Sequence, residues 1–186
     1  MIRRAVPADL RALCLLEQRV QSHPWTMHAL EPEFSNARAL FFVVVPQQPQ
    51  AYLDAFSRRQ NRQEALEEQH LLYLESQYTP SQDVEATMLL GYCLLWRIQP
   101  ELHVINLAVA PEVRRRGIAR EMMVFAIGQA RTLGCTEVLL EVRASNHSAI
   151  RLYESFDFER VGLRKDYYEQ PCEDALLYTL ALGGAV

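Results

Sequence analysis

Arg114, Arg115 and Arg116 stand directly before Gly117 in a chain whose net charge is −4. They lie between an apolar run that suits a β-strand, Val104 to Val109, and a helix pattern that opens near Gly117. Pro111 stops the strand. The first N–H groups of such a helix have no partner within it and carry the positive end of its dipole, which favours an anion. Gly117 has no Cβ to hold that anion off the backbone. The spacing predicts a phosphate-holding loop within Leu107 to Arg120, with a pyrophosphate as the expected occupant. Three more polar side chains follow. Glu141 is a carboxylate at the C-terminal end of an otherwise apolar strand, and Asn146 opens the next helix. Tyr153 lies two helical turns further, on roughly the same side. Each has a plain reading on its own: a solvated strand end, a helix cap, a core tyrosine. The arginines alone read as a solvated face.

The elements that must position these groups form an α/β pattern. Ile2 to Val6 suits a short strand. Pro7 to Val20 reads as a helix, with Leu10, Leu13, Cys14, Glu17 and Val20 on one side. His23, Pro24 and Trp25 break it, and Thr26 is placed to cap a second short helix that Pro32 bends or marks near its start. Ala39 to Val45 is a strong strand, ended by Pro46. Met88 to Ile98 is the returning strand, in which Gly91 marks a bulge or a close backbone approach. After the basic loop, Ile118, Met122, Phe125, Ala126 and Leu133 recur at helical spacing up to Gly134. Thr136 to Val142 alternates, with Val138, Leu140 and Val142 on one face and Leu139 and Glu141 on the other. Ser145 or Asn146 caps a short helix through Phe156. Two β segments follow, near Phe158 to Tyr168 and Ala175 to Leu182. The order is β-α-α-β-β-β-α-β-α-β-β, which predicts a mixed sheet. Between the second and third strands, residues 46–87 turn rich in Gln, Glu, Arg and Ser and read as an insertion, partly helical.

At 186 residues, 49% apolar and 23% charged, the chain suits one soluble domain over 1–186. The acidic balance speaks against a general nucleic-acid or membrane-surface binder. Cys14, Cys93, Cys135 and Cys172 lie far apart without metal-ligand spacing, so no metal is expected and the thiols read as reduced. The start is too charged for a signal peptide and no apolar stretch is long enough to span a membrane. A cytoplasmic protein is the expectation. Composition carries no sign of the oligomeric state.

The block from Val109 to Ala119 resembles the acetyl-CoA loop of the GNAT N-acetyltransferase superfamily, Q/R-x-x-G-x-G/A, with Arg114, Gly117 and Ala119 at its defined positions. Within that superfamily, Leu139 to Asn146 followed by Ala149 to Glu154 resembles the RimI branch, the bacterial ribosomal-protein alanine N-acetyltransferases. His23 to Trp25, Asp166 to Tyr168 and Glu173 to Ala175 are similar to the same branch. The resemblance spans nearly the whole chain except 46–87. Two positions depart from it: Ala119 replaces the second loop glycine, and Asp157 stands where glycine usually follows the helix. Asp tolerates a left-handed backbone better than most residues, so local strain and an unchanged fold are expected.

The resemblance implies a GNAT fold of about seven strands and four helices, and acetyl-CoA as co-substrate. It makes Glu141 the general base and Tyr153 the general acid for the departing thiolate. Leu107, Ala108 and Val109 would pair with the pantetheine arm. The backbone of Arg115, Arg116, Gly117, Ile118, Ala119 and Arg120, with Arg114 and neighbouring guanidiniums, would wrap the pyrophosphate. Asn146 matches a position that binds the CoA arm. Trp25 and Tyr168 serve either packing or the acceptor entrance. The implied acceptor is the N-terminal α-amine of a protein, first of all a ribosomal protein beginning with alanine. A free α-amine has a pKa of roughly 7.7–8.0, so deprotonating it near neutral pH needs only a modest base. Two alternatives stand beside this: a GNAT acting on lysine side chains or small amines, and a CoA-binding regulatory module without turnover.

Overall fold

The apolar runs read from the sequence become seven strands of one mixed sheet in a computed structural model that describes residues 1–47 and 88–183. They are β1 (Ile2–Arg4), β2 (Ala39–Val44), β3 (Gly91–Ile98), β4 (Glu101–Val109), β5 (Glu137–Arg143), β6 (Glu159–Glu169) and β7 (Cys172–Ala181). Their order in the sheet is β1-β2-β3-β4-β5-β7-β6. Among the described residues four α-helices accompany them: α1 (Leu10–Val20), α2 (Met27–Leu30), α3 (Ile118–Thr132) and α4 (His147–Glu154). The expected insertion over 46–87 falls between β2 and β3 and, apart from Pro46 and Gln47, lies outside the described residues.

The helices divide between the two faces of the sheet. On one face Met122, Met123, Ala126 and Ala130 of α3 and Tyr153 of α4 bury against Leu102, Val104, Val138, Leu140 and Val142. On the other, Leu13 and Leu16 of α1 and Leu30 of α2 bury against Phe41, Val43, Tyr92, Leu94 and Ala108. Each fully buried Leu or Met contributes about 1.5–3 kcal/mol, so these two layers hold the helices in place.

All strand pairs are antiparallel except β4 with β5, and α3 supplies the crossover that a parallel pair requires. The parallel register runs from Glu101–Glu137 only to Val104–Leu140. Beyond that point, among the described residues, β4 continues to Val109 with β3, and β5 continues to Arg143 with β7. The two central strands therefore part. The register between β3 and β4 also shifts at Leu94/Leu95, which leaves Ile105 as an extra residue where the parting begins. A bulge bends its strand and raises its twist, and here it turns β4 away from β5.

Several boundaries differ from the sequence reading. β3 starts at Gly91, not Met88, although the Leu90 N–H already donates to the Val44 carbonyl at 2.8 Å. α4 ends at Glu154, not Phe156, and β7 begins at Cys172. Asn146, not Ser145, caps α4, accepting from the Ala149 N–H at 3.2 Å. Thr26 caps α2 as expected, and Pro32 opens a 3-10 turn over Glu31–Phe34. Asp157 takes the expected left-handed backbone, φ 64°. Gly91 marks a close approach: a Cβ there would sit 2.6 Å from the Ala108 carbonyl oxygen. That oxygen belongs to the backbone and has little freedom to yield. Gly91→Ala is expected to destabilise the chain by about 1–3 kcal/mol, read as a lower melting temperature.

Candidate active site

Alternation along β5 turns Val138, Leu140 and Val142 toward α3 and α4 and leaves Glu141 on the opposite face. The Glu141 side chain is 29% exposed, and its Oε1 lies 3.1 Å from Nη2 of Arg164 on β6. Tyr167 is pushed above the ordinary tyrosine range by burial and then by the Glu141 carboxylate, to which its hydroxyl donates. Tyr153 comes from the other face of the sheet. It is 7% exposed, and burial holds its hydroxyl well above the ordinary range, with Cys93 and Tyr168 adding to the shift. Cys93, which pairs with Leu107 across β3 and β4, is itself pushed up to about 12 by burial. Tyr168 is pushed up by burial, with Arg143 opposing and Glu141 adding. Glu141 is the first residue of β5 beyond its last pair with β4, and Tyr153 is buried in the core on the opposite face of the sheet. A carboxylate on one face and a neutral phenol on the other can serve the two ends of one proton-moving reaction.

The basic loop stands at the C-terminal end of β4. Pro111–Val113 make a 3-10 turn with Val113 buried, and Arg114, Arg115 and Arg116 are exposed. Arg115 has φ 63° and Gly117, the N-cap of α3, has φ 87°. Two left-handed residues so close together fold the backbone into a concavity of the kind that presents N–H groups to an anion. Left-handed backbone at a non-glycine residue costs about 1–3 kcal/mol and concentrates at ligand clamps. Nothing lies within 4 Å of a Cβ built at Gly117, so the space over the loop is open. Ile118 and Ala119 are half-buried in the first turn of α3. Two of the four guanidiniums point elsewhere. Arg114 Nε donates to the Val109 carbonyl at 3.2 Å, and Arg120 donates to Ser155 Oγ at 3.0 Å and lies over the Phe156 ring at 4.7 Å. Arg115 and Arg116 stay at the loop surface. Asn146 spends its oxygen on the cap of α4, which leaves its NH₂ as the group able to donate outward.

Trp25 and Tyr168 come from distant stretches. Trp25 is half-buried beside the α1–α2 core, and its N–H donates to Glu17 Oε2 at 2.8 Å. Tyr168, also half-buried, carries the Arg143 guanidinium 3.9 Å from its ring centroid. Their segments meet where a nitrogen of His23 lies 3.3 Å from Gln170 Oε1.

A profile of the acetyltransferase (GNAT) family matches residues 28–158. The chain belongs to the GNAT family. Among curated relatives it is 31% identical over 120 residues to the [ribosomal protein bS18]-alanine N-acetyltransferase of Haemophilus ducreyi, covering 63% of this chain and 79% of that protein. It is 40% identical over 84 residues to the protein of the same name from Salmonella typhimurium, covering 44% of this chain and only 57% of the relative's length. The crystal structure of the ribosomal-protein-S18-alanine N-acetyltransferase from Escherichia coli superposes with a TM-score of 0.73 at 23% identity, over 100% of this chain and 96% of that one. This likeness shows the fold. Both curated relatives carry the name of the branch that the Glu141–Asn146 block resembles.

Two polar residues next to Trp25 and Glu141 were given no role in the sequence reading. Glu17 is fully buried, accepting from Tyr92 Oη at 2.5 Å as well as from Trp25, and burial pushes its carboxyl up against those hydrogen bonds. Its signal was present, since it is the one acid on the apolar side of α1. Arg143 lay inside the block that carried the resemblance. Among the described residues, no group of three or more His, Cys, Asp or Glu could hold a metal ion, and no helix is long and apolar enough to cross a membrane.

Proposed function

We propose that the chain, acting as one domain, transfers the acetyl group of acetyl-CoA to the N-terminal α-amine of a protein, first of all the N-terminal alanine of a ribosomal protein. The observation that carries this reading is the parting of β4 and β5 just before Glu141, with Tyr153 buried on the opposite face of the sheet. The stretch of β4 beyond its pairing with β5, Leu107 to Val109, would meet the pantetheine arm as an added strand, with the Val109 carbonyl released from Arg114 where the arm needs it. The concavity from Arg114 to Arg120 suits the pyrophosphate, and the Asn146 NH₂ suits the arm. Trp25 and Tyr168 flank the acceptor on the Glu141 face.

The chemistry follows from that division. Glu141 takes a proton from the acceptor ammonium, directly or through a water, and frees the nitrogen lone pair. The amine then attacks the thioester carbonyl, a C–N bond forms, and a backbone N–H near Val109 stabilises the developing oxyanion. As the C–S bond breaks, Tyr153 protonates the leaving sulfur, the acylated nitrogen gives up its second proton to water, Tyr153 is reprotonated from solvent, and Glu141 releases the proton it took, so each turnover frees one net proton. The products are an N-acetylated terminus and the CoA thiol. An amine with pKa near 10.4, as on lysine, would ask for a stronger base or a more acidic pocket than Glu141 with Arg164 beside it. A ribosomal acceptor places the reaction in the cytoplasm.

The test is a panel of short peptides differing only at the first residue, with acetyl-CoA and CoA release followed. The highest kcat/KM is expected for alanine. No turnover on any free N-terminus, together with tight acetyl-CoA binding, would overturn the reading in favour of a CoA-binding module.

A further inference from the structure

We propose that Arg143, with Glu173, is a positioning residue that fixes the β6–β7 turn and Tyr168 on the Glu141 face of β5, and so sets the affinity for the acceptor. The inference rests on the acceptor reading above. Arg143 lies two residues beyond Glu141 on the same face of β5. Its guanidinium stacks on Tyr168, 3.9 Å from the ring centroid. Nη2 donates to the Gln170 carbonyl at 3.4 Å, and Nη1 donates to the Pro171 carbonyl at 3.5 Å and to Glu173 Oε2 at 3.4 Å. The other Glu173 oxygen accepts from the Ser145 N–H, immediately before Asn146. Burial pushes the Glu173 carboxyl up, yet the bonds from Ser145 and Arg143 outweigh it and hold the group below its ordinary range. One planar cation thus binds the base's strand, the aromatic ring and the turn, while its carboxylate partner binds the segment leading into α4.

The β6–β7 register slips between Arg164 and Tyr168, and Asp166 has φ 51°. The ladder skips Lys165, Asp166 and Tyr167, where the Asp166 N–H donates to Asp174 Oδ1 at 2.9 Å, and it resumes with Tyr168–Glu173 and Glu169–Cys172. The ladder fixes the backbone of Tyr168, and the guanidinium fixes its ring and ties the turn to β5, because it stacks with its face while its edge donates to two carbonyls. A lysine ammonium has the charge but neither the plane nor the fork.

The test compares wild type with Arg143→Ala, Arg143→Lys and Glu173→Gln by steady-state kinetics and by amide hydrogen exchange over residues 166–174. Arg143→Ala is expected to raise the acceptor KM by about tenfold or more, the scale of losing charged hydrogen bonds, with the acetyl-CoA KM within about twofold. Exchange over 166–174 speeds up, and Arg143→Lys falls nearer to Ala than to wild type. Glu173→Gln, which keeps the stacked guanidinium, shifts both readouts the same way by less, and it decides the matter if Arg143→Ala does not fold. Acceptor and acetyl-CoA KM rising together, or unchanged exchange, would overturn the proposal. Exchange needs no turnover, so a wild type inactive on every peptide defeats the acceptor reading while the exchange result still decides what Arg143 holds.

Discussion

Glu141→Gln is expected to lower turnover by about 10²–10³-fold and to leave acetyl-CoA affinity within about twofold, the signature of a proposed general base lost from an otherwise intact site. The substitution keeps the size and shape of the side chain and removes its capacity to take a proton. Arg164, 3.1 Å away, loses its ionic partner, but the pair is partly exposed, so folding stability changes by no more than about 1 kcal/mol. The Glu141 face of β5 is also the side away from α3 and α4, whereas the expected CoA contacts lie on the loop before α3 and on α4. Steady-state kinetics alongside calorimetric titration of acetyl-CoA separates the two quantities. Turnover and acetyl-CoA affinity falling together would make Glu141 a structural residue of the cofactor cleft.

Tyr153→Phe carries the second large effect, a fall in kcat of about 10–10²-fold with both KM values little changed. Phe keeps the ring that packs at 6.0 Å from Phe158 within the α3–α4 core, so the melting temperature moves little. The pH dependence has a definite sign. Burial disfavours the phenolate, so the folded pKa stands above the unfolded value near 10 and the proton is retained past that pH. As the proposed acid, Tyr153 is therefore protonated throughout the neutral range and is expected to contribute no alkaline fall in kcat below about pH 10. A kcat in Tyr153→Phe equal to wild type would remove Tyr153 from the chemistry.

How much of this was legible in the sequence depended on how local each cause was. The face of β5 that carries Glu141 follows from a two-residue period, and the alternation of Val138, Leu140 and Val142 stated it outright. The left-handed Asp157 followed from one residue's tolerance of an unusual backbone. The parting of β4 from β5 was not readable in that way. It depends on Ile105 being left over when β3 and β4 pair, and that register is set by contacts between strands. Burial marks the bulge, since strict alternation along β4 breaks at Ile105 and Asn106. The choice of Asn146 over Ser145 as cap, and the stop of α4 at Glu154, were decisions of a single turn that two adjacent candidates left open. Arg143 was visible as a residue but not as a contact, because its partners Gln170, Pro171 and Glu173 lie 27 to 30 positions away. Glu17 was legible as a misfit on an apolar stripe; its partner Tyr92, 75 residues distant, was not.

We expect this site to act on an α-amine. One peptide that begins with alanine and carries an internal lysine, incubated with the protein and acetyl-CoA, tests it when fragment masses locate the added acetyl group. The expected product carries the acetyl on the α-nitrogen of the first residue, with the lysine unmodified. Acetyl on the lysine side chain with a free N-terminus would contradict it.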